Sequence, residues 1–434
     1  MYRYLLLLIV GSGILPEAFS QENSPYSRYG LGDISPNQNI LSRGMGGIAA
    51  GISDLQSINF VNPASYSNLP KTIFDMGAET DTRTLKSINP TAKFTSTNLV
   101  VSYMQLAFPI RMKKANKKQI FLASTFGLRP VSKINYRILK NSRISGIDSL
   151  ETVYEGSGGL TQAYTGAALR IKNFSIGANF GYMFGNKDYN TRLSFINDTV
   201  NYYKSNSASE TNFGGLFLNL GVQYQVRLKN EAMFRIGAYG NLKQNMKATQ
   251  RTVRETEVFD VNGNAYRVDS VFETNTKGTV TYPSSFGVGA TYQTEHWLFG
   301  ADVESTSWQN YRFFGQPDLL KNNWKMRVGT EFFPAKMNTP IKKYFSFVRY
   351  RMGFFYGPDY ININNNLPEY GFTFGAGFPL KLRRNFYETQ SSMLNTAIEI
   401  GSRGNKSNNL RENIFRVSVG VSLSDIWFRR AKYD

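Results

Sequence analysis

The stretch IFRVSVGVSL, residues 414–423, alternates without a break. Phe415, Val417, Val419, Val421 and Leu423 fall on one face of an extended chain; Arg416, Ser418, Gly420 and Ser422 fall on the other. Such a period of two describes a strand with one apolar and one polar face. It recurs in YGFTFGAGFPL (370–380), FSIGANFGYMF (174–184) and FVRYRMGFF (347–355). Soluble sandwiches alternate too, so length and charge must decide. These segments run to about ten residues or more, whereas soluble strands average about five to six and tilted membrane strands need about nine to eleven. Their polar faces also carry charges in mid-strand, at Arg349, Arg351, Glu399 and Arg416. Lipid outside and a wet lumen inside account for both features.

Composition agrees. The 434 residues hold 32 Phe, 26 Tyr and 4 Trp, 14% aromatic in all, with 38 Gly and no Cys. Membrane barrels expose aromatics to lipid and gather them at both interfaces. The opening MYRYLLLLIVGSGILPEAFSQ has Arg3, an apolar core from Leu5 to Leu15 and small residues at Ala18 and Ser20. That layout marks residues 1–20 as a secretory signal peptide, too short in its apolar core to span a bilayer. Without Cys, an exported chain holds its fold with no disulfide. The net charge is +19. In an exported protein it fits anionic lipid or lipopolysaccharide better than nucleic acid, and a basic surface with no specific role is an equal alternative.

Fourteen strand segments are expected: 71–86, 96–110, 120–140, 159–172, 174–195, 210–227, 231–250, 280–293, 296–311, 322–333, 345–357, 367–381, 391–403 and 411–428. An even count suits a bacterial single-chain barrel, as does alternation of short periplasmic turns with long outer loops. With the first strand running outward, the short connections are RMKKANKKQ, KN, LKN, TE, PAKMNTPIKKY and LRRNFYETQSS. The expected long polar loops are 141–158, 196–209 and 251–279. The fold class is therefore all-β: one 14-stranded antiparallel transmembrane β-barrel over residues 71–428, with a periplasmic tail at 429–434.

Residues 21–70 precede the first strand and are Gly-rich and non-periodic. Within them, GMGGIAAGISDLQSINFVNPASYSNLP (44–70) resembles the N-terminal hatch of the long-chain fatty-acid transporter (FadL-like) family of outer-membrane barrels. There a Gly- and Ala-rich run leads to an Asn-Pro-Ala motif before the first strand; here it is Asn62-Pro63-Ala64. The resemblance implies a hatch folded inside the lumen and passage of hydrophobic small molecules. In that family a kink in the third strand opens a lateral gap, and Gly127 and Pro130 in TFGLRPVSKINY match its place; a plain bulge is the alternative. ENSPYSRYGLGDISP (22–36) resembles the leader of relatives from the Bacteroidota. Its Tyr26, Arg28, Tyr29 and Asp33 are expected to pack in the lumen, the first three as candidate ligand contacts there. Arg349, Arg351 and Arg416 are lumen-facing by parity and are candidate contacts for a carboxylate head.

Enzyme chemistry finds little footing. The single His, His296, lies in the turn TEHW and cannot build a multi-histidine metal site. No cofactor motif is present, and the chain reads as no enzyme. Two functions stand. One is passive, hatch-gated movement of hydrophobic small molecules across the outer membrane of a Gram-negative bacterium. The other is a non-transporting accessory or scaffold subunit of a larger outer-membrane machine, of the type IX secretion or barrel-assembly kind, with other outer-membrane proteins as partners. Many lumen-facing positions in the twelfth and fourteenth strands are Gly, Ser or Thr, which favours the second.

Overall fold

The computed structural model describes residues 24–89, 91–110, 119–146, 148–196, 203–259, 265–335, 343–363, 365–380 and 391–426. The expected signal segment, the tail 429–434 and most of RMKKANKKQ lie outside them. Fourteen antiparallel strands form one closed barrel. They are β1 (Thr72–Ser87), β2 (Ala92–Ile110), β3 (Ile120–Arg143), β4 (Ser149–Ile171), β5 (Phe174–Ile196), β6 (Lys204–Arg227) and β7 (Met233–Asn241, continued by Gln244–Phe259). Then come β8 (Ala265–Tyr282, continued by Ser285–Gln293), β9 (Trp297–Thr306), β10 (Asn323–Phe332), β11 (Arg349–Ile363), β12 (Asn365–Pro379), β13 (Ser391–Arg403) and β14 (Leu410–Asp425). Closure is made by β14 on β1, from Asp425 opposite Thr72 to Leu410 opposite Ser87.

The alternation sorts as the pattern demands. Phe372, Phe374, Ile398, Ile400, Phe415 and Val419 are exposed on the outer wall, while Thr373, Arg416 and Ser418 are buried on the inner one. Trp297 and Phe299 stack at 5.6 Å near one rim, and Trp324 and Tyr356 meet edge-on at 5.8 Å near the other. Two aromatic rows flanking an apolar band are how a barrel meets a bilayer.

The wall is uneven in height. β3 and β6 have 24 residues each and β4 and β5 have 23, against 10 in β9 and in β10. At about 3.3 Å per residue, the tallest strands reach roughly 80 Å, more than twice a membrane crossing. The expected loops 141–158 and 251–279 are therefore mostly strand, as are residues 204–209 of the other one, and this corrects the sequence reading. The strands of this blade mix buried apolar residues such as Tyr136, Leu150 and Val253 with opposite charges paired across strands, as in Arg137–Glu155 at 3.3 Å and Arg251–Glu273 at 2.9 Å.

Between β2 and β3 the sheet opens. They pair only from Met104 opposite Leu128 to Ile110 opposite Leu122. Beyond that level β2 stays with β1 and β3 with β4, past a register irregularity between Pro130 and Ser132. The lower part of the seam is filled from inside by a two-residue strand, Asp33–Ile34, paired with Lys133 and Ser132.

That strand belongs to the N-terminal segment, which lies inside the lumen. It has a 3-10 turn (Pro25–Arg28), a helical turn (Ile40–Arg43) and a second 3-10 turn (Pro63–Asn68). Ile40, Ile48, Ala50, Ile58, Asn62 and Tyr66 are fully buried in it. The wall carries glycine where this segment touches it. A Cβ at Gly237 would lie 1.8 Å from the Ala50 oxygen, one at Gly329 2.2 Å from the Met45 oxygen, and one at Gly353 2.1 Å from the Gly46 nitrogen. Glycine in a strand interior marks such close backbone approach.

Candidate functional site

The lumen is the place where function must lie, and charge fills much of it. The row begins in β1, where Asp75, Glu79, Asp81 and Arg83 share the inner face at period two and are all buried. Arg83 pairs with Asp33 of the N-terminal segment and with Asp81 at 2.8 Å. Arg403 of β13 reaches the same Asp33 at 3.0 Å, Asp359 at 2.5 Å and Glu412 at 3.4 Å. Burial alone would raise the Asp33 carboxyl, but the guanidiniums of Arg83 and Arg403 outweigh it and hold it below its usual 3.8. Tyr26 lies beneath Arg403 at 4.9 Å and donates from its hydroxyl to the Leu410 carbonyl at 2.7 Å.

Deeper in the lumen, Arg416 pairs with Glu399 at 2.8 Å and Asp81 at 3.2 Å, and Arg43 of the N-terminal segment pairs with Glu79. Arg351 binds Glu331 at 2.6 Å, and Arg349 joins Glu331 at 3.3 Å to Asp54 of the segment at 3.0 Å. Asp302 accepts the Ala49 and Ala50 N–H groups, the latter at 2.8 Å. Asp75 accepts the Ser57 hydroxyl at 2.8 Å and the Ile58 N–H at 3.1 Å. The links that reach the segment run from β1, β9 and β11.

Asn62-Pro63-Ala64 forms the lower anchor. The Asn62 side chain accepts the Ala64 N–H at 3.2 Å, capping the 3-10 turn, and Pro63 opens that turn where its missing N–H costs nothing. The Asn62 amide donates to the Ala50 carbonyl at 2.7 Å and to the Val222 carbonyl of β6 at 3.1 Å. Pro63 backs onto Gly177.

The other expected residues fall as follows. Arg349, Arg351 and Arg416 are in the lumen as parity requires, but each is already matched by carboxylates. Arg28 lies over the Tyr154 ring at 5.5 Å, and Tyr29 packs half-buried beside it in the apolar core. Gly127 leaves room for Tyr164, whose ring a Cβ there would meet at 2.5 Å. Pro130 sits at the irregularity just above the last β2 pair. His296 lies 2.8 Å from the Phe333 carbonyl oxygen, away from the lumen network. The anchoring Arg43, Arg83 and Arg403 were missed by sequence, although the period-two charge row of β1 would have revealed Arg83.

One cavity in the lumen measures about 210 Å³, below the roughly 300–1,000 Å³ of small-molecule pockets. Its lining is mixed. Arg83, Arg327, Arg403 and Glu304 stand on one side, and Phe60, Tyr164 and Phe217 on the other. Arg129 enters the aromatic side, over the Phe60 ring at 4.9 Å, and donates to Gln162 at 2.7 Å. Among the described residues no group of three or more His, Asp or Glu is placed to hold a metal ion.

Comparison with known proteins places the architecture. A family model described as BamG matches residues 1–434. No curated protein matches. Among solved structures, the Pseudomonas putida toluene transporter TodX superposes with a TM-score of 0.57 at 15% identity, over 91% of this chain and 100% of that one. A Pseudomonas aeruginosa FadL homologue gives 0.56 at 12% identity, over 91% and 99%. The Ralstonia pickettii toluene transporter TbuX gives 0.52 at 14%, again over 91% and 99%. The chain thus has the outer-membrane barrel fold found in FadL-type channels.

Proposed function

We propose a function from the premise that this chain belongs to the BamG family, whose model spans it from end to end. It is a non-transporting outer-membrane barrel that serves as an accessory subunit of a larger outer-membrane machine, of the barrel-assembly or type IX secretion kind. The apolar band meets lipid or lipopolysaccharide in the outer membrane of a Gram-negative bacterium, and residues 21–70 act as a fixed cork. No catalytic role is assigned.

The observation that carries this reading is the fit of the N-terminal segment to the wall. Its backbone lies on wall glycines, with Gly237, Gly329 and Gly353 leaving no room for a Cβ. Asp33 is ion-paired to β1 and β13, Arg43 to β1 and Asp54 to β11. Moving it would strand buried charges, at about 3–5 kcal/mol for each broken pair. A conduit for apolar molecules has no use for a lumen of this polarity.

A second reading keeps one specific support. The seam above Leu128 and the apolar side of the cavity around Phe60, with Arg129 beside it, suit a hydrophobic molecule with an anionic head, leaving near Pro130. A disulfide distinguishes the two. A Cβ at Gly51 would lie 3.1 Å from Thr291 Cγ2, and the chain has no Cys of its own. The pair Gly51→Cys with Thr291→Cys therefore locks the segment to β8. The cork reading predicts that the oxidised protein supports growth and retains its partners. Loss of function restored by reduction would show that the segment moves, and would favour transport.

A further inference from the structure

The seam between β2 and β3 is an edge that accepts extended chain. Its lower end already does so, because Asp33–Ile34 pairs there with Lys133 and Ser132. The Ser35 N–H donates to the Val131 carbonyl at 3.0 Å, and the Asn135 N–H reaches Ser27 Oγ at 3.3 Å. Odd residues of β3 above the irregularity thus turn their backbone groups toward the seam, and even ones toward β4. By that alternation Leu139 and Asn141 continue the same edge beyond the reach of the N-terminal segment, with β2 diverging opposite. A sheet edge of this kind is a template for another strand.

The seam also has a charge. Lys133, Arg137, Lys140 and Arg143 lie on β3 and Lys93 on β2, with no Asp or Glu in residues 131–143 or 92–103. The acid opposite Arg137 is Glu155 of β4, which also lies 3.7 Å from Arg192. On the outer wall the seam is bordered by Leu99, 72% exposed, with Val101 and Leu139 exposed nearby.

We propose that the seam between β2 and β3, above the Asp33–Ile34 strand, binds an acidic, extended segment of a partner polypeptide as an added strand. Backbone pairing supplies the fit, and the cations select the sign. Exposed Leu139 and Leu99 favour alternate apolar residues in that segment. The proposal rests on the accessory-subunit reading and specifies its contact.

The test uses the full-length protein in nanodiscs and a decapeptide of alternating Glu and Val, with an alternating Lys and Val peptide as control. A fluorescent label on Leu139→Cys reports binding, and a label on Ile400→Cys, on the outer face of β13 away from the seam, checks its position. The acidic peptide is expected to bind saturably at position 139 only, and the basic one not at all. Lys140→Glu with Arg143→Glu weakens binding by about tenfold or more. Asn141→Pro, which removes a seam-facing N–H, weakens it too, and retention of the compact band on unheated gels checks that each variant folds. No binding by the acidic peptide overturns the proposal. So does displacement by lipopolysaccharide from a site that Asn141→Pro leaves intact, which makes the seam a lipid surface. Tagged wild type and the Lys140→Glu, Arg143→Glu variant are then extracted from native membranes. Partners kept by both overturn the seam alone, whereas a wild type that carries no partner overturns the accessory reading.

Discussion

Asp33 shows how single residues fix the lumen. It sits between Arg83 and Arg403, so Asp33→Asn leaves two buried guanidiniums short of a carboxylate. That change is expected to loosen residues 24–35 by about 3–5 kcal/mol, read as faster amide exchange there and not in the barrel. The sign with pH follows from the depressed carboxyl. Its stabilisation is complete at neutral pH and is lost as pH falls below about 4 through the lowered value. A spin label on Ser35→Cys should stay immobile down to pH of about 5 and become mobile below about 4; mobility at every pH in Asp33→Asn completes the assignment. Gly353→Val drives a side chain into the Gly46 nitrogen, and is expected to expel the segment while leaving the wall, seen as protease cleavage within residues 24–70. Sequence parity was enough to put Arg349, Arg351 and Arg416 in the lumen. It was not enough to show them matched, because Glu331 and Glu399 face Arg351 and Arg416 only once the register of neighbouring strands is known, and Asp54 comes from the distant N-terminal segment.

At the scale of elements, Asn62-Pro63-Ala64 acts through its cap and through the Val222 contact. Asn62→Ala removes both, and is expected to cost about 1–3 kcal/mol, measured as a lower denaturant midpoint for release of the segment. Pro130→Val tests the third strand. The cork reading expects unchanged partner binding, whereas the transport reading expects less uptake of a long-chain ligand in proteoliposomes. Strands whose outer face meets lipid, such as β12 and β14, were legible because solvent contrast writes a period of two into them. Parts of the blade in β3, β4 and β6 to β8 were read as loops, because polar and charged residues interrupt its apolar positions, whereas β5 was read at nearly its full length. The seam was hinted at by Pro130, but its filling by Asp33–Ile34 was not, since a two-residue strand has no period.

For the whole molecule, fourteen strands make an interior wider than their own side chains fill. The N-terminal segment occupies it, and its removal should open a pore. Wild type in planar bilayers is expected to be silent, and a variant lacking residues 24–70 to conduct. The fold is shared with transporters of toluene at 15% identity or less, so a common barrel hosts lumens of different chemistry. Sequence legibility ended there, because alternation reports which face is wet and not whether the lumen is passable. The central claim is that this barrel is corked and works within an assembly. It is tested most directly by gentle extraction from native membranes with a tag after Asp434 and mass measurement of the intact particle. The account predicts a stoichiometric complex with other outer-membrane proteins and no hydrophobic ligand in the lumen. A monomer carrying a fatty acid or another apolar molecule would contradict it.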